Sequence, residues 1–189
     1  MVNLNFKWLV LNLGAEKVKI LKQQISNGGS SIGTIVNREN LAEQAAKWHG
    51  EKIKVVLTNG CFDILHMGHL RTFKEAKAQG DILVVGLNSD ESIRGLKGET
   101  RPIIPQNDRL ELLAALEPID YVTLFDEATA VRLIELIKPQ VYVKGGDYNL
   151  NNLPEKDVLL RYQVEVKFIP LVTGISTTEM IKRIRTANI

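Results

Sequence analysis

The sequence predicts an α/β fold with a five-stranded parallel sheet and helices on both faces, and three observations predict it. Short apolar or β-branched runs alternate with helix-like patterns from residue 53 onward. The runs carry few polar residues, as strands do when helices cover both faces of a sheet. Several of them end in polar or glycine-containing turns, where open sheets of this kind bind ligands beyond the carboxyl ends of their strands.

Taken in order, Leu4 to Ile25 reads as a helix, with Leu13, Lys17, Val18, Leu21 and Ile25 recurring at spacings of three and four. Its apolar stretch Trp8 to Leu13 contains Asn12 and is followed by Glu16, Lys17 and Lys19. With no small-residue cleavage site and no apolar run of about 18 residues, neither a signal peptide nor a membrane span is expected. The expected location is cytoplasmic. Gly28, Gly29, Ser30, Ser31 and Gly33 form a linker, which sets residues 1–34 apart as an N-terminal helical extension and leaves residues 35–189 as the main domain. A P-loop reading of this glycine-rich stretch fails, because Thr34 stands where the phosphate-binding lysine is needed. Asn37 then caps a helix from Arg38 to His49 that has Leu41, Ala45 and Trp48 on one face. Strands are predicted at Ile53 to Leu57, Ile82 to Leu87, Tyr121 to Phe125, Val141 to Val143 and Val164 to Ile169. Helices are predicted at Gly68 to Gln79, Ser89 to Arg94, Gln106 to Leu116, Glu127 to Ile137, Glu155 to Arg161 and Ser176 to Arg185.

Composition narrows the function. A chain of 189 residues that is 44% hydrophobic builds one ordinary core. A net charge of +2 with scattered basic residues argues against a nucleic-acid partner and for a small molecule. The single cysteine, Cys61, excludes an intramolecular disulfide and a Cys-based zinc site, and suits a reducing compartment.

The most informative segment is TNGCFDILHMGH, Thr58 to His69. A buried strand, a tight turn and a helix start place unpaired backbone N–H groups, with their partial positive charge, where an anion can settle. His66 and His69 share one helix face, and Gly68 between them leaves the backbone open to a phosphate. An isolated His-x-x-His pair is more often structural, but the strand, turn and glycine around this one favour a phosphate site.

These residues resemble the HxGH nucleotidyltransferase superfamily: His66, Met67, Gly68 and His69 form its signature, and Ile175 to Thr178 match its late IST/ST motif. The segments NSDESIRGLKGETRPI (Asn88 to Ile103), KGGDY (Lys144 to Tyr148) and GISTTEMIKRI (Gly174 to Ile184) are similar to the D-glycero-β-D-manno-heptose 1-phosphate adenylyltransferases. That family often occurs as the C-terminal half of a bifunctional kinase/adenylyltransferase, and the resemblance covers roughly Ile35 to Ile189. It implies a Rossmann-like nucleotidyltransferase fold and the transfer of AMP from ATP to a sugar 1-phosphate, giving ADP-heptose and pyrophosphate for lipopolysaccharide assembly. Phosphorylation of the sugar is then expected from another chain. The resemblance makes His66, His69 and Lys97 the catalytic candidates, with Lys97 on a flexible segment Arg94 to Arg101 that closes over the phosphates. It makes Asn59, Gly60, Cys61, Phe62, Asp63, Gly68, Ser176, Thr177 and Thr178 the ATP and phosphate contacts. Asn88, Arg101, Arg109, Lys144, Gly145 and Asp147 are further candidates for substrate or nucleotide contact. Mg²⁺ is the expected cofactor, with no protein ligand assigned. A homodimer is the expected assembly, with neither nucleic acid nor membrane as partner.

Bland alternatives exist for several of these. Lys97 and Arg101 also read as solvated loop cations, KGGDY as a simple turn, and Ser176 with Glu179 as a capping box. Three rival functions also share parts of the pattern. Glycerol 3-phosphate and choline phosphate cytidylyltransferases carry an arginine in R-T-E-G-I-S-T-T, where this chain reads Leu171, Val172, Thr173, Gly174. A class I aminoacyl-tRNA synthetase fragment would want an anticodon domain and a basic face, and a non-catalytic nucleotide-binding regulator has no need for both histidines. Cys61 has no forced activating neighbour, and direct phosphoryl displacement needs no thiol nucleophile. Cys61→Ala is expected to keep its turnover in a pyrophosphate-release assay, and a dead variant would assign the thiol a chemical role.

Overall fold

The computed structural model describes residues 33–146, 148–170 and 174–187. Six strands, β1 (Thr34–Ile35), β2 (Val55–Gly60), β3 (Ile82–Asn88), β4 (Tyr121–Phe125), β5 (Val141–Gly145) and β6 (Glu165–Ile169), form one sheet in the order β1-β4-β3-β2-β5-β6. Every pairing is parallel. The crossovers carry α1 (Arg38–Gly50), α2 (Met67–Lys77), α3 (Asp90–Lys97), α4 (Gln106–Ala114), α5 (Val131–Ile137) and α6 (Lys156–Arg161), and α7 (Thr177–Thr186) follows the last strand. Among the described residues no helix is long and apolar enough to cross a membrane.

Strand side chains alternate between the faces, so each central strand feeds two cores. Val55, Leu57, Ile82, Val84 and Tyr142 point to one face, where Leu41, Ala45 and Trp48 of α1 and Leu133, Ile134 and Ile137 of α5 cover them. Val56, Leu83, Val85, Leu87, Val141 and Val143 point to the other, against Phe73 and Ala76 of α2 and Leu110 and Leu113 of α4. β3 is buried along its whole length, which is why it reads as a continuous apolar run rather than an alternating one.

The sheet has six strands where five are predicted. The additional strand is the edge pair Thr34–Ile35, which binds Tyr121 and Val122 and leaves both of its own residues exposed. Two exposed residues carry no periodic signal, so nothing in the sequence marks them as a strand. Gly33 beside them is tightly packed: its N–H donates to Ala114 O at 2.6 Å, and a Cβ there would lie 2.6 Å from Ile119 O. Gly33 and Thr34, assigned to the linker end, therefore pack with the sheet. The helix Leu4 to Ile25 and the linker residues Gly28 to Ser31 lie outside the described residues.

Boundaries shift elsewhere for identifiable reasons. β2 starts at Val55, two residues after the predicted Ile53, and runs on through Thr58, Asn59 and Gly60. Ladders to β3 and β5 pair Thr58 with Val85 and with Val143, so tertiary pairing overrides the turn chemistry of those residues. The helix expected from Glu127 begins at Val131. Glu127 is drawn off instead by a bidentate pair with Arg38, one contact at 2.8 Å, and Ala130 N donates to Glu155 at 3.0 Å.

Gly80, before β3, admits no side chain: a Cβ would stand 2.6 Å from Lys54 O and 2.7 Å from Val56 Cγ2. Gly80→Ala is expected to cost roughly 1–3 kcal/mol through overpacking. In a thermal melt that corresponds to a fall of roughly 2–4 °C per kcal/mol for a chain of this size.

Candidate active site

The site begins where β2 stops. After Gly60 the chain turns through Phe62, whose φ of +43° is unusual for a residue with a side chain. The turn folds the Phe62 ring back over Gly60, where a Cβ would lie only 2.9 Å from it. The ring packs on Phe73 at 5.0 Å and edge-on to His69 at 5.2 Å and 84°. A glycine, a left-handed aromatic and a histidine thus fix the path from strand to helix.

Helix α2 opens with His66 in the N-cap position, and the His66 side chain makes no capping hydrogen bond. The first-turn N–H groups therefore keep their capacity for an anion. His66 and His69 stack face to face, with centroids 3.7 Å apart and planes 18° from parallel. Both Nδ1 atoms are buried with no hydrogen-bond partner in the protein. Burial holds the His69 proton affinity down to about 3, with His66 and Lys97 adding repulsion, and burial lowers His66 as well. At neutral pH the pair is uncharged. A polyanion placed against it would supply the missing opposite charge and raise both values.

Three other strand ends meet this one. Lys144, near the end of β5, sits with Nζ 3.2 Å from Asn59 Oδ1, 3.3 Å from the Tyr142 hydroxyl and 3.7 Å from Glu155 Oε1. Burial lowers the Lys144 proton affinity while Glu155 opposes that shift. Beyond β6, Ser176 caps α7 by accepting from Glu179 N at 3.1 Å, and Thr177 donates to Ile64 O at 3.4 Å. At the end of β3, Asn88 donates to Ser92 Oγ at 2.9 Å and so secures the first turn of α3.

These groups enclose a cavity of about 570 Å³, within the range of small-molecule sites. Asn59, Gly60, Cys61, Phe62, Asp63, His66, Gly68 and His69 line it from β2 and α2; Asn88, Lys97, Lys144, Gly145, Ser176, Thr177 and Thr178 complete it from the neighbouring strand ends and helices. Arg101 and Arg109 do not line it, and Asp147 lies outside the described residues. Arg109 is almost wholly buried and spends its guanidinium internally, on Cys61 O at 2.7 Å, Asn88 O at 2.9 Å, Ile104 O at 2.9 Å and Asp90 Oδ1 at 2.6 Å. It clamps the ends of β2 and β3 together. Asp63 has a similar duty, accepting from Arg101 Nε at 2.6 Å and from the backbone of Ile103 at 2.8 Å and Ile104 at 2.9 Å. The segment Arg94 to Arg101, expected to be flexible, is helical through Lys97, and Arg101 is pinned by Asp63.

Sequence reasoning missed Thr72, Tyr148 and Glu155 in the wall. Thr72 stands three residues after His69, so the helix spacing that singled out the histidines would also have reached it. Tyr148 lies within KGGDY. Glu155 gave no signal, since a glutamate at a helix start ordinarily faces water. Among the described residues no group of three His, Cys, Asp or Glu side chains stands ready to hold a metal ion.

The depressed histidines couple the site to stability. The unfolded chain binds a proton near 6.5 that folded His69 refuses until about 3, so the unfolded state holds more protons between those values and stability rises with pH. Stability is expected to be fully present above about 6.5 and to decline progressively towards pH 3. Denaturant unfolding of the protein and of His69→Gln at pH 4 to 7 measures this, and the variant is expected to show a shallower acid limb.

Known proteins resemble the chain at both levels. Residues 57–186 match the family model described as cytidylyltransferase-like. The bifunctional protein HldE of Geobacter metallireducens is 51% identical over 156 residues, 82% of this chain and 31% of that protein. The bifunctional protein HldE of Aliarcobacter butzleri is 49% identical over 160 residues, 85% of this chain and 32% of that protein. The chain thus spans about a third of the length of these curated relatives. The lipopolysaccharide core biosynthesis protein of Thermoplasma volcanium superimposes with a TM-score of 0.52 at 30% identity, over 64% of this chain and 97% of that one. Pantoate-beta-alanine ligase from Francisella tularensis, at 14% identity and a TM-score of 0.58 over 80% of this chain and 73% of its own, shares the fold. The strand end, the histidine pair and the late serine-threonine cap all fall inside the matched span, and the chain belongs to the cytidylyltransferase-like family.

Proposed function

We propose that this chain transfers AMP from ATP to D-glycero-β-D-manno-heptose 1-phosphate, giving ADP-heptose and pyrophosphate by direct in-line displacement. The observation that carries the reading is the uncharged His66–His69 stack at the open end of α2, sharing one cavity with the Ser176 cap of α7. The heptose acceptor is supported by the motifs LKGETRP and KGGDY and by the bifunctional relatives.

The acceptor phosphate has a second pKa near 6 and is already a nucleophile at neutral pH, so no general base is needed. Its oxygen attacks the α-phosphorus, the bond to the β-phosphate oxygen breaks, and the electron pair departs with pyrophosphate. What the protein supplies is alignment and charge. The imidazoles donate to the α-phosphoryl oxygens, the first turn of α7 receives the β- and γ-phosphates, and Lys97 approaches from the end of α3. Mg²⁺ carried on the triphosphate would neutralise the leaving group. The described residues offer it no ligand cluster, and phosphate oxygens and water are its natural partners. The proposal includes a cytoplasmic homodimer, supported by the apolar spacing of Leu4 to Ile25.

Pyrophosphate release with ATP or CTP, against heptose 1-phosphate, other sugar 1-phosphates and glycerol 3-phosphate, tests the reading. ATP with heptose 1-phosphate is expected to win; a preference for CTP with glycerol 3-phosphate would overturn the acceptor while leaving the family intact. His66→Ala and His69→Ala are each expected to lower kcat by about 10² to 10³. The double variant should approach background while ATP binding suffers less.

A further inference from the structure

Asn59 stands in the cavity wall with one end of its amide committed to the protein. Its Oδ1 accepts from the Tyr142 hydroxyl at 2.5 Å and from Lys144 Nζ at 3.2 Å, both on β5, the strand paired with β2 as far as Thr58. An amide can turn either its oxygen or its nitrogen to a neighbour. Charge makes the choice here: the Lys144 ammonium has only donors, so the oxygen must face it. Tyr142 is wholly buried, and burial keeps its phenol protonated. It therefore comes to Asn59 as a donor, while its own oxygen accepts from Lys144 Nζ at 3.3 Å.

The nitrogen end of the amide is unspent. Among the described residues Nδ2 donates to no protein atom. It is also absent from the side-chain atoms sealed from solvent without a partner, so it keeps accessible surface, and the space it meets is the cavity that Asn59 lines. An oxygen that accepts two hydrogen bonds polarises its amide and strengthens the N–H donors at the other end. The wall thus presents a strengthened, pre-aimed donor to whatever the cavity holds. Its ligand partner must be an acceptor atom.

We propose that Tyr142 is a positioning residue, fixing the Asn59 amide so that its NH₂ group donates to an acceptor atom of a bound substrate. This rests on the nucleotidyl transfer proposed above. It gives a role to a side chain that does not itself line the cavity.

A double-mutant cycle read by pyrophosphate release from ATP and heptose 1-phosphate provides the test. Asn59→Ala and Tyr142→Phe are each expected to lower kcat/KM, Tyr142→Phe by roughly 10-fold, the worth of one hydrogen bond. In the Asn59→Ala background, Tyr142→Phe is expected to change kcat/KM by no more than about 2-fold, because the group it positions is already gone. A loss of the same size in both backgrounds means that Tyr142 only supports the core, and overturns the proposal. An unchanged kcat/KM in either single variant overturns it too. Should Tyr142→Phe fail to fold, Asn59→Asp reads the orientation independently: the carboxylate keeps both accepted bonds but offers the cavity an oxygen where a donor is needed. It is expected to lose at least as much as Asn59→Ala, and higher activity than Asn59→Ala refutes the assignment. Failure of the broader reading looks different, since the unaltered protein then gives no turnover with ATP and heptose 1-phosphate. The same cycle is in that case run with the nucleotide and phosphate acceptor it does use.

Discussion

His66 and His69 lie face to face at 3.7 Å because neither is charged: partial burial lowers the proton affinity of both, and for His69, edge-on to Phe62, His66 and Lys97 add repulsion. The pair is held by packing, not by hydrogen bonds, since both Nδ1 atoms lack a partner. Two exposed histidines would keep ordinary proton affinities and hydrate separately. Partial burial keeps this pair neutral and stacked, so an arriving polyanion meets two rings already in place at the cavity wall.

That stack exists only because the sheet delivers the chain to it. β2 is paired with β5 as far as Thr58 and with β3 as far as Gly60, so Thr58 is as fixed as any core position and Asn59 and Gly60 are held from one side. Arg109 then joins Cys61 O to Asn88 O, and Asp63 gathers Arg101, Ile103 and Ile104. Two buried charges, each fully hydrogen-bonded, hold the loops in register around the cavity. Breaking either would leave its partners unsatisfied in the interior, which is far more costly than any loop contact is worth. Arg101 and Arg109 serve the site as framework.

The fold was largely legible because its inner strands are buried on both faces and the strands are separated by helices of ordinary length. The inner strands announce themselves as apolar runs, β6 as an alternating one that carries Glu165 and Lys167, and Asn37, Ser89 and Ser176 cap α1, α3 and α7 as their side chains suggest. Thr34–Ile35 was not legible, since two exposed residues joined to an edge by backbone bonds carry no pattern. Nor was the extension of β2 through Thr58, Asn59 and Gly60, where local turn preference and long-range pairing disagree and pairing wins. Among site candidates, the histidines, Gly60 and the Ser176 cap were readable from local spacing. The buried roles of Arg109 and Glu155 were not, because one-dimensional pattern treats an arginine or glutamate in a helix as solvent-facing until the rest of the chain closes over it.

Charge is distributed asymmetrically around the cavity. The α7 side offers a helix start and hydroxyls, and the centre offers two imidazoles with Lys97 nearby. The two buried carboxylates of the wall are answered by the protein itself: Glu155, which follows β5, accepts from Ala130 N at 3.0 Å and faces Lys144 at 3.7 Å, and Asp63 accepts from Arg101 and from the backbone of Ile103 and Ile104. Negative charge in the wall is thus spent on the framework, whereas the donors of the helix starts face the open space. An anion that enters the cavity meets those donors first, because the carboxylates that would repel it are already paired.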